Sequence, residues 1–140
     1  MARQFKSTDT NKWIYYFGTG VDGDLTISSD ATDSPIDSTC SGTAGTNSLT
    51  ATNASFSSGQ AIIIHKSRGN TTVTCGEWEL NWISSYVSGT ITTLFPLQFS
   101  YNDSGADQSQ VRVLKQYRNV TINAGVTYTA KSWLRFYIVS

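Results

Sequence analysis

Apolar residues recur with a period of two along most of this chain. No window of ten or more residues carries a capped i, i+3, i+4, i+7 apolar stripe. Period two is the signature of the pleated strand, in which successive side chains point to opposite faces, and it excludes helix-based architectures. Composition supports the same reading. Ser and Thr number 19 each, Glu only 2 and Met 1, which removes much of the vocabulary of exposed helices. What remains is rich in Thr, Val, Ile, Tyr, Phe and Trp, residues suited to a half-buried sheet surface. The expected fold is all-β, an antiparallel β-sandwich or small barrel of roughly nine to eleven short strands.

Turn residues divide the chain. Asp22-Gly23 precedes the alternating Leu25–Ser28, and residues 29–46, holding Pro35, Gly42 and Gly45, read as a long polar loop with room for a short strand near Ile36. Ser48–Ala51 alternates, Ala61–His65 is a β-branched buried strand, Lys66–Asn70 a turn and Thr71–Cys75 a further strand. In Glu77–Ile83 the alternation places Trp78, Leu80 and Trp82 on one face, expected inward, and Glu77, Glu79 and Asn81 on the other, expected outward. Ser88-Gly89 is a hairpin turn between Tyr86-Val87 and Thr90–Leu94. Strands are expected at 110–115, 119–122, 126–130 and 133–139. Residues 1–12 form an N-terminal arm, and 13–140 a single β-domain.

The order of signals from Ser48 onward carries a resemblance. The run SLTATNASFSSGQAIIIHKSRG is followed by WELNWISSYVSGTITTLFPLQFSYNDSGADQSQVRVLKQYRNVTINAGVTYTAKSW, and GTGVDGDLTIS stands earlier in the chain. This resembles a module of phage virion and tail-fibre-like proteins and of bacterial secreted or surface proteins, over most of residues 18–133. The resemblance implies a non-enzymatic structural or adhesive β-module in a particle or surface assembly, located on a virion or an extracellular surface. It brings no catalytic signature. Where such proteins continue into a Gly-rich segment, this chain continues as the apolar Leu134–Ser140.

Charge narrows the partners. Ten Lys+Arg balance ten Asp+Glu, and without a basic stripe no nucleic-acid partner is expected. No run approaches the ~20 apolar residues of a bilayer span, so membrane insertion is not expected, and no signal peptide is legible at the N-terminus. The aromatic run Trp13, Tyr15, Tyr16, Phe17 and the run Trp133, Phe136, Tyr137, Ile138 are apolar on both strand faces and need cover on both sides. They are the candidate subunit interface of a homo-oligomer, or they pair with each other. The first functional expectation is therefore a structural protein acting by self-association with its own copies and with other virion or surface proteins. The alternative is a receptor- or carbohydrate-binding module with a host glycan as partner.

Other chemistry is weaker. Asp22, Asp24 and Asp30, with Asp33 and Asp37, cluster as candidate calcium ligands, but the spacing matches no EF-hand or β-roll repeat, and turn-stabilising aspartates are the simpler account. Neither a metal nor a cofactor is expected. Glu77 and Glu79 are spaced for one strand face, whereas glycosidase carboxylates flank a cleft. His65 lacks a nucleophile elbow, so no enzyme is expected. Cys40 and Cys75 are either free small side chains or a disulfide.

Overall fold

The computed structural model describes residues 20–69 and 75–131. Among these there is no helix. The order is β1 (Asp24–Ile27), β2 (Ala31–Thr32), β3 (Asp37–Thr39), β4 (Ser41–Gly42), β5 (Ser48–Thr50), β6 (Ala61–Arg68), β7 (Trp78–Val87), β8 (Thr90–Thr93), β9 (Gln108–Val113), β10 (Asn119–Ile122) and β11 (Tyr128–Thr129). The all-β expectation holds. The stretch expected as one polar loop at 29–46 contains β2, β3 and β4, because short Ser/Thr-rich segments gain ladder partners from distant strands that no local pattern announces. Strand β6 runs on through Lys66–Arg68, where a turn was expected, since those residues pair with Ser109 and Gln108. Residues 71–74 of the expected next strand lie outside the described residues, and Cys75 sits in a turn.

The chain divides into two compact units, Ser34–Leu114 and a second made of its two flanking segments. In Ser34–Leu114 the sheet order is β3-β9-β6-β7-β8-β5-β4, antiparallel throughout and not closed into a barrel. The β7–β8 hairpin turns at Ser88 and Gly89, both at positive φ (44° and 86°), the backbone that a two-residue type I′ turn requires. Leu49, Ile62, Ile64, Ile83, Ile91 and Val111 form the dry centre, joined by Cys40, Phe56, Leu97 and Tyr101. Gly42 is needed where the chain passes closest: a Cβ there would lie 2.6 Å from Leu97 Cδ1 and 3.0 Å from the Ser48 carbonyl.

The face of β7 is the reverse of the one expected. Glu79, Asn81 and Ile83 are buried, while Trp78 is exposed and Leu80 and Trp82 are half-buried. Register explains the reversal. Ile62 pairs with Asn81 and Ile64 with Glu79, and directly opposed residues share a sheet face. Ile62 and Ile64 also face Val113 and Val111 across β9, so this row is the core row and carries the β7 polar residues inward. Both find polar partners there, with Glu79 Oε1 left without one. Asn81 Nδ2 donates to the Phe95 carbonyl (2.9 Å), Asn81 Oδ1 accepts from the Phe95 N–H (3.2 Å), and Glu79 Oε2 accepts from the Gln98 N–H (2.7 Å). The irregular segment after β8 thus takes side-chain hydrogen bonds in place of a strand partner.

In the other unit, pairing is parallel: β1 with β10 and β2 with β11. Parallel neighbours need a long crossover, and here all of Ser34–Leu114 intervenes in the chain. Four aspartates fasten the first segment to the second. Asp22 bonds Lys115 Nζ (3.1 Å) and the Gln116 N–H (2.6 Å), and Asp24 bonds Arg118 Nε (2.9 Å) and Asn119 Nδ2 (3.0 Å). Asp30 accepts from the Thr127 N–H (2.7 Å), and the Tyr128 hydroxyl reaches Asp33 at 3.4 Å.

Candidate binding face

Because Ile62, Ile64 and Lys66 turn inward, alternation sends Ile63 and His65 of β6 to the outer face. The same parity brings Trp78, Leu80 and Trp82 of β7, Gln110 and Arg112 of β9, and Asp37 and Thr39 of β3 to that face. The register arranges them in rows across the sheet: Asp37–Arg112–Ile63–Leu80, and Thr39–Gln110–His65–Trp78. With strands ~4.8 Å apart, Gln110 to Trp78 spans about 10 Å of backbone.

Each component of this face has a definite state. Trp78 is 49% exposed. Trp82 is half-buried and braced edge-on by Phe95, with centroids 6.2 Å apart and planes at 82°. Arg112 Nη2 bonds Asp37 Oδ2 at 2.9 Å, which orients the guanidinium and balances its charge. Burial first, and the Arg112 charge second, push the His65 pKa down, so its imidazole is neutral at pH 7, with one donor and one acceptor nitrogen. The face therefore offers a broad aromatic surface beside neutral hydrogen-bonding groups and a compensated ion pair.

Beneath it lies a polar cluster within the core. Lys66, 7% exposed, is ion-paired with Glu77, and its Nζ stands 5.9 Å from the Phe99 ring centroid and 5.8 Å from that of Tyr101. Burial raises the Glu79 pKa, and burial followed by the Glu79 charge raises that of the Tyr101 hydroxyl. The two groups couple electrostatically, yet neither Glu79 Oε1 nor the Tyr101 hydroxyl has a well-formed hydrogen bond.

The residues singled out from sequence are distributed as follows. Trp13, Tyr15, Tyr16, Phe17, Trp133, Phe136, Tyr137 and Ile138 lie outside the described residues. Asp22, Asp24 and Asp30 each hold the strand-fastening bonds given above, and among the described residues no three His, Cys, Asp or Glu side chains gather as a metal site. Cys40 and Cys75 are both free thiols, Cys40 buried with its pKa pushed up by burial and by Asp103, Cys75 exposed. Glu77 and Glu79 do not share an open outward face: Glu77 is ion-paired with Lys66, and Glu79 is buried. Gln110 and Arg112 were missed. Their signal was the shared parity of Gln-x-Arg, Ile-x-His and Trp-x-Leu, visible only once strand register is known.

No family profile matches this chain, and no curated protein matches it. Among solved structures it is similar to the Gp54 tailspike of Acinetobacter baumannii bacteriophage AP22 in complex with A. baumannii capsular saccharide, with a TM-score of 0.46 and 12% identity over 78% of this chain. The chain corresponds to 22% of the length of that tailspike.

Proposed function

We propose that this chain is a non-enzymatic β-module of a virus particle or surface assembly, and that its outer sheet face over β9, β6 and β7 binds a glycan. The observation that carries the reading is the half-exposed Trp78 standing in one row with His65 and Gln110. A large exposed aromatic costs solubility and marks interaction sites when polar groups surround it. A sugar ring presents an apolar C–H face and a rim of hydroxyls. The Trp78 ring suits the first; the neutral His65 and Gln110 suit the second. The ligand favoured is uncharged, because Asp37 already balances Arg112. Support for the non-enzymatic part is that Glu77 and Glu79, the sole glutamates, are committed to Lys66 and to the Gln98 amide. Self-association through Trp13–Phe17 and Trp133–Ile138 concerns residues outside those described.

The test is an array of bacterial and host surface saccharides probed with the wild type and with Trp78→Ala. Wild-type binding to neutral saccharides is expected, with Trp78→Ala weakening it roughly tenfold or more while the unfolding midpoint stays unchanged. Silence of the wild type across the array, or equal binding by Trp78→Ala, would refute the reading. Release of new reducing ends from a bound saccharide would refute the non-enzymatic part.

A further inference from the structure

We infer that the ligand of the outer face is a linear saccharide of at least three rings lying along β7, with a hydroxyl-rich ring at Trp78 and an N-acetylated ring at Trp82. The inference rests on the glycan reading above and adds the length of the ligand and the kind of sugar at one end. Every residue it uses belongs to the unit Ser34–Leu114.

Length follows from the strand. Trp78, Leu80 and Trp82 alternate with the buried Glu79, Asn81 and Ile83, so all three stand on the outer face. At ~3.3 Å per residue, the Cα atoms of the two tryptophans lie about 13 Å apart. Strand side chains stand roughly perpendicular to the sheet, which keeps the indoles near that spacing. A six-membered sugar ring with its linking oxygen advances roughly 5 Å, given C–C bonds of ~1.5 Å. Two rings fall short of spanning both indoles, whereas three or four in an extended chain span them. Between the indoles the floor is apolar, with Leu80 opposite Ile63, and suits the C–H face of a middle ring.

The kind of sugar follows from a difference between the two ends. The Trp78 row continues through His65, Gln110 and Thr39, neutral groups that suit ring hydroxyls. The Trp82 row has Ala61 on one side and Leu94 on the other, where the Leu94 N–H donates to the Trp82 carbonyl (2.8 Å). Alternation from the buried Thr93 turns Leu94 to the outer face, and it is 52% exposed. Among Ala61, Trp82 and Leu94 the indole N–H is the sole hydrogen-bonding side-chain group. A ring bearing only hydroxyls would shed water there without replacement hydrogen bonds. An acetamido substituent fits better: its methyl suits Leu94 and the Trp82 ring, and its carbonyl is an acceptor for the indole N–H.

The test is isothermal titration of the full chain with linear β-linked N-acetylglucosamine oligomers and linear β-linked glucose oligomers, each from two to six units. The N-acetylglucosamine tetramer is expected to bind roughly tenfold or more tightly than its dimer and than the glucose tetramer. Leu94→Ser, at an exposed position, should abolish both differences while leaving dimer affinity and the unfolding midpoint unchanged. Trp78→Ala should weaken every oligomer. Equal affinity for dimer and tetramer, equal affinity for the two tetramers, or differences that survive Leu94→Ser would overturn the inference and leave the glycan reading standing. Silence of both series would also overturn it, and the saccharide array decides separately whether the glycan reading falls with it.

Discussion

In Ser34–Leu114, Leu49, Ile62, Ile64, Ile91 and Val111 are wholly buried by strands drawn from across the unit, whereas in residues 20–33 and 115–131 the one buried described residue is Ile27 and aspartates carry the cross-segment contacts. The first region is held by excluded water, a force roughly proportional to apolar area and indifferent to salt-bridge geometry. The second is held by a short parallel ladder and by exposed charge pairs, which contribute little individually and are screened by ions. The difference teaches where each kind of work can be placed. A rigid, apolar-cored sheet can hold Trp78, His65 and Gln110 in fixed rows.

The largest expected effect that would break this comparison is in the cores. Ile64→Ala should cost about 2–5 kcal/mol in chemical denaturation, through lost burial and a cavity in close-packed surroundings. Ile27→Ala should cost clearly less, because Ile27 keeps 8% of its surface exposed and lies outside the core cluster that encloses Ile64. Equal losses would show that the flanking unit owns a core of comparable quality.

The two regions should also respond oppositely to acid. Burial raises the Glu79 pKa above its ordinary 4.5, so the folded state holds that proton more tightly than the unfolded chain. Stability is then greatest below the ordinary carboxylate range and falls as pH rises through the raised folded value. Glu79→Gln, which keeps the acceptor for the Gln98 N–H, should leave the protein at least as stable at neutral pH, with the difference vanishing in acid. A pH-independent loss on Glu79→Gln would mean that the charge itself is structural.

The smallest effect is expected at Asp24. Hydrogen bonds from Arg118 and Asn119 hold its carboxyl below 3.8, so its contribution is present above the ordinary carboxylate range and is lost as pH falls through the lowered value. Asp24→Asn should remove that acid sensitivity and little else. Denaturation curves of wild type and variant that stay parallel down the acid range would show the pair to be inert.

Much of the architecture was legible before any coordinates. Leu25–Ile27, Ser48–Thr50, Ala61–His65 and Asn119–Ile122 are strands where alternation or β-branched runs place them, and Ser88-Gly89 turns the chain as its residues demand. The short strands within 29–46 were not legible, since Ser- and Thr-rich dipeptides have no pattern of their own and become strands only by pairing with β9, β5 or β11. The candidate face was half legible. His65 and Trp78 stood out as residues, but Trp78 was assigned to the interior, and Gln110 and Arg112 looked like ordinary polar positions of an alternating strand.

Local physics therefore determined the all-β class, the principal strands and the tight turn, because strand periodicity and turn dihedrals depend on neighbours a few residues away. Which side of β7 faces inward was decided only by tertiary structure. Alternation defines two faces without ranking them, and aromatic bulk suggested the wrong one. The ranking came from the isoleucines of β6 across the ladder, together with backbone groups of Phe95 and Gln98 that Asn81 and Glu79 are positioned to bond.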